Sequence, residues 1–158
     1  MLPEFDLSSP ALALGSAALI GFATGIIPIG AAEAAALAIG LVSPRWLALA
    51  MCVVFTLAHV GAKLPWYWLG GHAKRVSGER GAKYLLRARQ MLAERPQYGG
   101  GLLLMSALLS VPPFHLAAIA AGLTRMAIVP FITACFAGRL VRFGVLVTAP
   151  QLLRHLFG

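Results

Sequence analysis

The chain has 158 residues, 59% of them hydrophobic and 11% charged, with a net charge of +8 and a mean hydropathy of +0.83. Soluble domains average about 25% charged residues, so this composition argues against a soluble domain and predicts an all-α integral membrane protein. The positive charge is gathered in one stretch between apolar runs. In that setting Lys and Arg report topology first, and nucleic acid is not expected as a partner.

The N-terminus opens with Glu4 and Asp6 and has no basic region, so a cleavable signal is not expected. Residues 11–42 form the first apolar segment, broken near its middle at Gly25-Ile-Ile-Pro28-Ile-Gly30. Proline inside a helix removes a backbone hydrogen bond and clashes with the preceding turn. Neither arm reaches the ~20 residues that a full crossing needs, which predicts a re-entrant hairpin entering from outside. A tilted, fully spanning first helix is the alternative.

Residues 45–70 are expected to cross toward the cytoplasm, with Trp66, Tyr67 and Trp68 marking the inner interface. Residues 71–98 hold Lys74, Arg75, Arg80, Lys83, Arg87, Arg89 and Arg95 against Glu79 and Glu94. This stretch is expected on the cytoplasmic side. Within it, 81–94 reads as an amphipathic helix against anionic headgroups or as a solvated linker helix. Residues 99–123 break at Val111-Pro112-Pro113-Phe114 and predict a second re-entrant hairpin from the opposite side. Residues 126–150 cross back and are expected to end near Pro150.

Each hairpin is followed by Gly-Leu (Gly40-Leu41, Gly122-Leu123), an arginine (Arg45, Arg125) and an apolar span. The chain therefore reads as one domain over 1–158, built of two inverted repeats joined by the basic segment. Matched interrupted helices in two halves point to a binding site between the repeats, with Pro28, Gly30, Pro112 and Pro113 as the breaks.

Glu33 is the only carboxylate between Asp6 and Glu79. A charge at bilayer depth is costly, so it reads either as a proton-exchanging group in a wet cavity or as a favourable charge at a half-helix N-terminus. Arg139 and Arg142 lie about one turn apart and share a helix face. They can grip a phosphate bidentately, or Arg142 can snorkel while Arg139 neutralises Glu33. Lys63 reads as a snorkelling side chain near the inner interface. His59 and His115 read as core histidines, although at the hairpin tip His115 could relay protons. Cys52 and Cys135 read as small buried hydrophobes. No metal or cofactor motif is visible, nor a Walker loop, a Cys-x-x-Cys pair or a nucleophile elbow, and no enzymatic activity is expected.

The run Pro112-Pro-Phe-His-Leu-Ala-Ala-Ile-Ala-Ala-Gly-Leu-Thr-Arg-Met126, with Phe131, Gly138-Arg139 and Arg142, resembles the DedA/VTT-domain (SNARE-associated) membrane protein superfamily. Pro28-Ile-Gly-Ala-Ala-Glu33 with Gly40 is similar to that family's first hairpin, and Tyr67-Trp-Leu-Gly70 to its helix end. The likeness spans roughly Gly21 to Val147, and the short length most resembles the small YqaA-like branch. The chain departs from many members at Leu108, Leu109 and Phe114, where they carry arginines, and at His115, where they carry Asn or Asp. The resemblance implies a multi-pass protein of the bacterial inner (plasma) membrane, in a fold that includes polyprenyl-phosphate carriers and lipid scramblases. The expected function is a proton-linked carrier or scramblase for an anionic lipid or small ion, with Glu33, Arg139, Arg142 and His115 at the site. Membrane lipids are the expected partners, and self-association into a homo-oligomer is left open. The alternative is a non-transporting membrane-integrity factor or a subunit acting through association.

Overall fold

The computed structural model describes residues 9–27, 31–72, 96–109 and 114–157. Among the described residues all regular structure is helical. The helices are α1 (Pro10–Ile26), α2 (Ala31–Val42), α3 (Arg45–Gly61), α4 (Leu64–Gly71), α5 (Pro96–Leu109), α6 (Phe114–Leu123) and α7 (Ile128–Phe157). Two apolar runs, Arg45–Gly71 and Ile128–Leu153, are long enough to cross a membrane. The basic segment predicted to be an amphipathic helix over 81–94 lies outside the described residues, as do Pro28, Gly30, Pro112 and Pro113.

The single domain expected over 1–158 divides into two compact units, the first comprising 1–61 and 143–158 and the second 62–142. The boundary does not separate the chain into an N-terminal and a C-terminal half. Each unit takes one pair of short helices, α1 and α2 or α5 and α6, and parts of both long helical runs.

In the first unit, α1 begins where local chemistry dictates. Pro10 occupies the first turn, where its missing N–H would have had no helical partner. The Ala13 N–H donates to the Ser9 carbonyl at 3.1 Å. At the other end Ile27 is extended, φ −83° and ψ 125°, as a residue before proline prefers. The buried face of α1 is Ala13, Ala17, Gly21 and Gly25, small residues one turn apart that let another backbone come close. That backbone belongs to α3: a Cβ on Gly21 would lie 2.5 Å from the Phe55 carbonyl oxygen. α2 is packed in the same way, since a Cβ on Gly40 would collide with the Val147 carbonyl. Phe55 is fully buried and meets Phe143 edge-on, with ring centroids 5.0 Å apart.

In the second unit α4 and α6 meet through reciprocal glycines. A Cβ on Gly122 would strike the Tyr67 carbonyl, and one on Gly70 the Ile119 carbonyl. α5 lies against the first half of α7, where a Cβ on Gly138 would be 2.6 Å from Ala107 Cβ. α6 ends with two reversing hydrogen bonds, Arg125 N–H to Gly122 carbonyl and Met126 N–H to Ala121 carbonyl, both 3.0 Å. This pattern requires a left-handed residue after the helix, and Arg125 supplies it with φ +53°.

One expected span gains an internal turn, and one expected boundary changes. The span predicted over 45–70 is interrupted by a turn at Ala62 and Lys63, because Pro65 cannot donate into a continuous helix and instead sits in the first turn of α4. The helix expected to end near Pro150 runs on to Phe157. Pro150 leaves the Leu146 carbonyl without its helical donor, but the turn beyond is anchored: Gln151 Nε2 donates to the Gly40 carbonyl at 3.4 Å.

Candidate functional site

The richest polar chemistry gathers in the second unit, beside the break between α5 and α6. Lys63, the residue capping α4, is 1% exposed. Its Nζ lies 2.8 Å from His115 Nε2, and it stands over the Phe114 ring at 5.5 Å. The snorkelling expected of Lys63 is therefore corrected, because the ammonium is turned inward onto α6. His115 is half-buried, and Trp66 packs edge-on against its ring with centroids 5.3 Å apart.

Arg139 reaches the same place from α7. It is 4% exposed, and its guanidinium carbon lies 4.4 Å from the Phe114 ring centre. Phe114 thus receives two cations, a contact worth about 2 kcal/mol or more when desolvated. Arg142, half-buried one turn further along α7, donates from Nη1 to the Leu108 carbonyl at 2.6 Å. That carbonyl is among the last four of α5, which have no helical donor, so the arginine caps the helix end and complements its dipole. α5 thus ends on Arg142, and α6 begins beside Lys63, His115 and Arg139.

Of the predicted site residues, His115, Arg139 and Arg142 come together here. Glu33 belongs to the first unit, where it is half-buried in the first turn of α2, a favourable position for a carboxylate. In that unit the Thr24 hydroxyl lies 3.4 Å from His59 Nδ1, and His59 is buried between Phe55 and Phe143. Cys52 and Cys135 are both free and buried. Among the described residues no cluster of three His, Cys, Asp or Glu could hold a metal.

Of the three aromatics assigned to the inner interface, only Trp68 is strongly exposed. Trp66 supports His115. Tyr67 stacks on Phe131 and donates its hydroxyl to the Met126 carbonyl. Sequence reasoning missed Lys63 as a site residue. The available signal was Lys63-Leu-Pro65, which marks a helix restart inside an apolar run and so a place where a polar side chain can turn inward.

Comparison of the chain with family models, with curated proteins and with solved structures finds no match.

Proposed function

We propose that the chain is an integral membrane carrier or scramblase-like protein for an anionic lipid, a polyprenyl phosphate or a phospholipid, or for a small ion. The observation that carries this reading is the convergence of Lys63, His115, Arg139 and Arg142 beside the α5–α6 break. A guanidinium forks onto phosphate oxygens, an ammonium adds a compact point charge, and the first N–H groups of α6 favour an anion.

Membrane residence is supported by the two long apolar runs. Strongly exposed apolar side chains such as Leu19, Val42, Val129 and Leu152 also suit hydrocarbon better than water. The inverted-repeat reading gains support from one matched glycine contact: Gly40 of α2 lies against an α7 carbonyl as Gly122 of α6 lies against an α4 carbonyl. Membership of the DedA/VTT-domain superfamily rests on the motif resemblance. In this reading the protein sits in the bacterial inner membrane with residues 71–98 in the cytoplasm, and transport is proton-linked through Glu33 or His115.

Reconstitution into liposomes with a panel of lipid phosphates, with and without a proton gradient, tests the function. The expected result is faster translocation of at least one phosphate-headed lipid than in protein-free vesicles, with a rate that responds to the gradient. No acceleration for any lipid in the panel would overturn the reading. Impermeant labelling of a single cysteine at position 83 tests the topology, and labelling from outside intact cells would reverse it.

A further inference from the structure

Lys63 Nζ and His115 Nε2 face each other at 2.8 Å. An ammonium has three donors and no acceptor, and an imidazole nitrogen either donates or accepts. A hydrogen bond at this distance therefore holds one proton between the two atoms. Either the ammonium donates to the bare Nε2 of a neutral imidazole, or the Nε2–H of an imidazolium donates to a neutral amine, and in both cases the pair carries one positive charge. With a second proton both atoms become donors, the contact loses its acceptor, and it must open. The proton count of the pair is thus tied to the geometry of the first turn of α6.

The surroundings make this linkage sensitive to an anion. α4 presents Lys63 itself, Trp66 against the imidazole, and Tyr67, whose hydroxyl is committed to the Met126 carbonyl. α7 presents Arg139 across the Phe114 ring, Arg142 on the Leu108 carbonyl, and Cys135, which lies within the field of Lys63 and Arg139. The described side chains of α5 include no ionisable group. The singly protonated pair and Arg139 together carry two positive charges, and a second proton on the pair makes three. An oxyanion bound there offsets the added charge. By linkage the anion must favour the second proton as strongly as the proton favours the anion.

We propose that Lys63 and His115 form a proton-linked latch on the second hairpin. It is closed while one proton is shared, and it opens when a phosphate-class oxyanion and a second proton bind together. The latch rests on the carrier reading for its anion and adds a proton site in the anion cluster itself, distinct from Glu33.

Trp66 supplies a readout that does not need transport, because an imidazolium quenches an adjacent indole. In a background with Trp46→Phe and Trp68→Phe, Trp66 emission is followed against pH in detergent. The titration is repeated with sulfate, which does not titrate in this range, and in phosphatidylcholine vesicles with and without phosphatidic acid. The expected result is a single quenching step whose midpoint rises by ~1 pH unit when the anion is bound, a tenfold coupling. A rise with sulfate assigns the cluster to any oxyanion, and a rise with phosphatidic acid alone assigns it to a lipid headgroup. The step should vanish in His115→Gln, whose amide oxygen still accepts from Lys63, and should persist in Glu33→Gln. His115→Asn replaces the glutamine variant if that fails to fold, as judged by circular dichroism and gel filtration.

Calorimetry on the same samples separates the two ideas. Binding with an unmoved midpoint, or a step that survives in the His115 variants, overturns the latch and leaves the carrier reading intact. Absence of any anion binding overturns both.

Discussion

In the first unit Gly21 and Gly40 set α1 and α2 directly on the backbones of α3 and of the end of α7. In the second, Gly122 does the same for α6 on α4, whereas Gly138, on α7, meets the Ala107 side chain of α5. The packing chemistry is shared and the side-chain chemistry is not. Between α1, α2 and α3 the first unit has an open apolar recess of about 290 Å³ whose lining includes Ala13, Ala17, Ala38, Ile39, Leu47 and Met51. The lining serines are already engaged: Ser16 donates to the Ala13 carbonyl at 2.8 Å and Ser43 to Met51 Sδ at 3.4 Å. The second unit instead turns a lysine and an arginine inward onto one phenylalanine. The same backbone solution can therefore carry either an apolar recess or a cation cluster. In the proposed reading, function is placed by a few side chains and not by the packing.

The shared packing can be broken symmetrically. Phe55 and Phe131 are each fully buried, one per unit. Phe55→Ala and Phe131→Ala should each destabilise by about 3–5 kcal/mol, read as unfolding in a mild detergent. A large loss in one variant with none in the other would show that only one unit depends on its core.

Gly40→Ala and Gly122→Ala sharpen the same point, because in both the new Cβ meets a backbone carbonyl that cannot swing aside. Each should cost about 1–3 kcal/mol in the same assay. A silent Gly40→Ala beside a damaging Gly122→Ala would remove the parallel on which the repeat reading leans.

The smallest effect runs the other way. Arg125 holds a left-handed backbone at φ +53° and is exposed, so Arg125→Gly should relieve strain of roughly 1 kcal/mol and raise the midpoint of thermal unfolding. A lower midpoint would mean that the arginine side chain is itself needed.

Much of the helical plan could be read from proline and length. Pro28 and Pro112-Pro113 announce the breaks that separate α1 from α2 and α5 from α6, and glycine-arginine punctuation marks the starts of α3 and α7. The division into units could not be read, because it depends on which stretch of each long run packs with which hairpin, and no local pattern encodes that. Pro150 misleads for a related reason: the turn beyond it is held by the Gln151–Gly40 contact, 111 residues apart in sequence.

The site was half legible. Arg139, Arg142 and His115 stand out as polar residues in apolar runs. Lys63 does not, since beside Trp66, Tyr67 and Trp68 it has the appearance of an interfacial lysine. Its true partner lies 52 residues away.

In the proposed function the cation cluster of the second unit handles the anion. The most direct test is the translocation rate of a phosphate-headed lipid in proteoliposomes bearing Arg139→Gln, compared with wild type at matched incorporation and fold. Hydrogen bonds to charged groups are worth about 1.5–3 kcal/mol, so the expected rate is roughly 10- to 100-fold lower, with Arg139→Lys between the two. A wild-type rate in Arg139→Gln would contradict it.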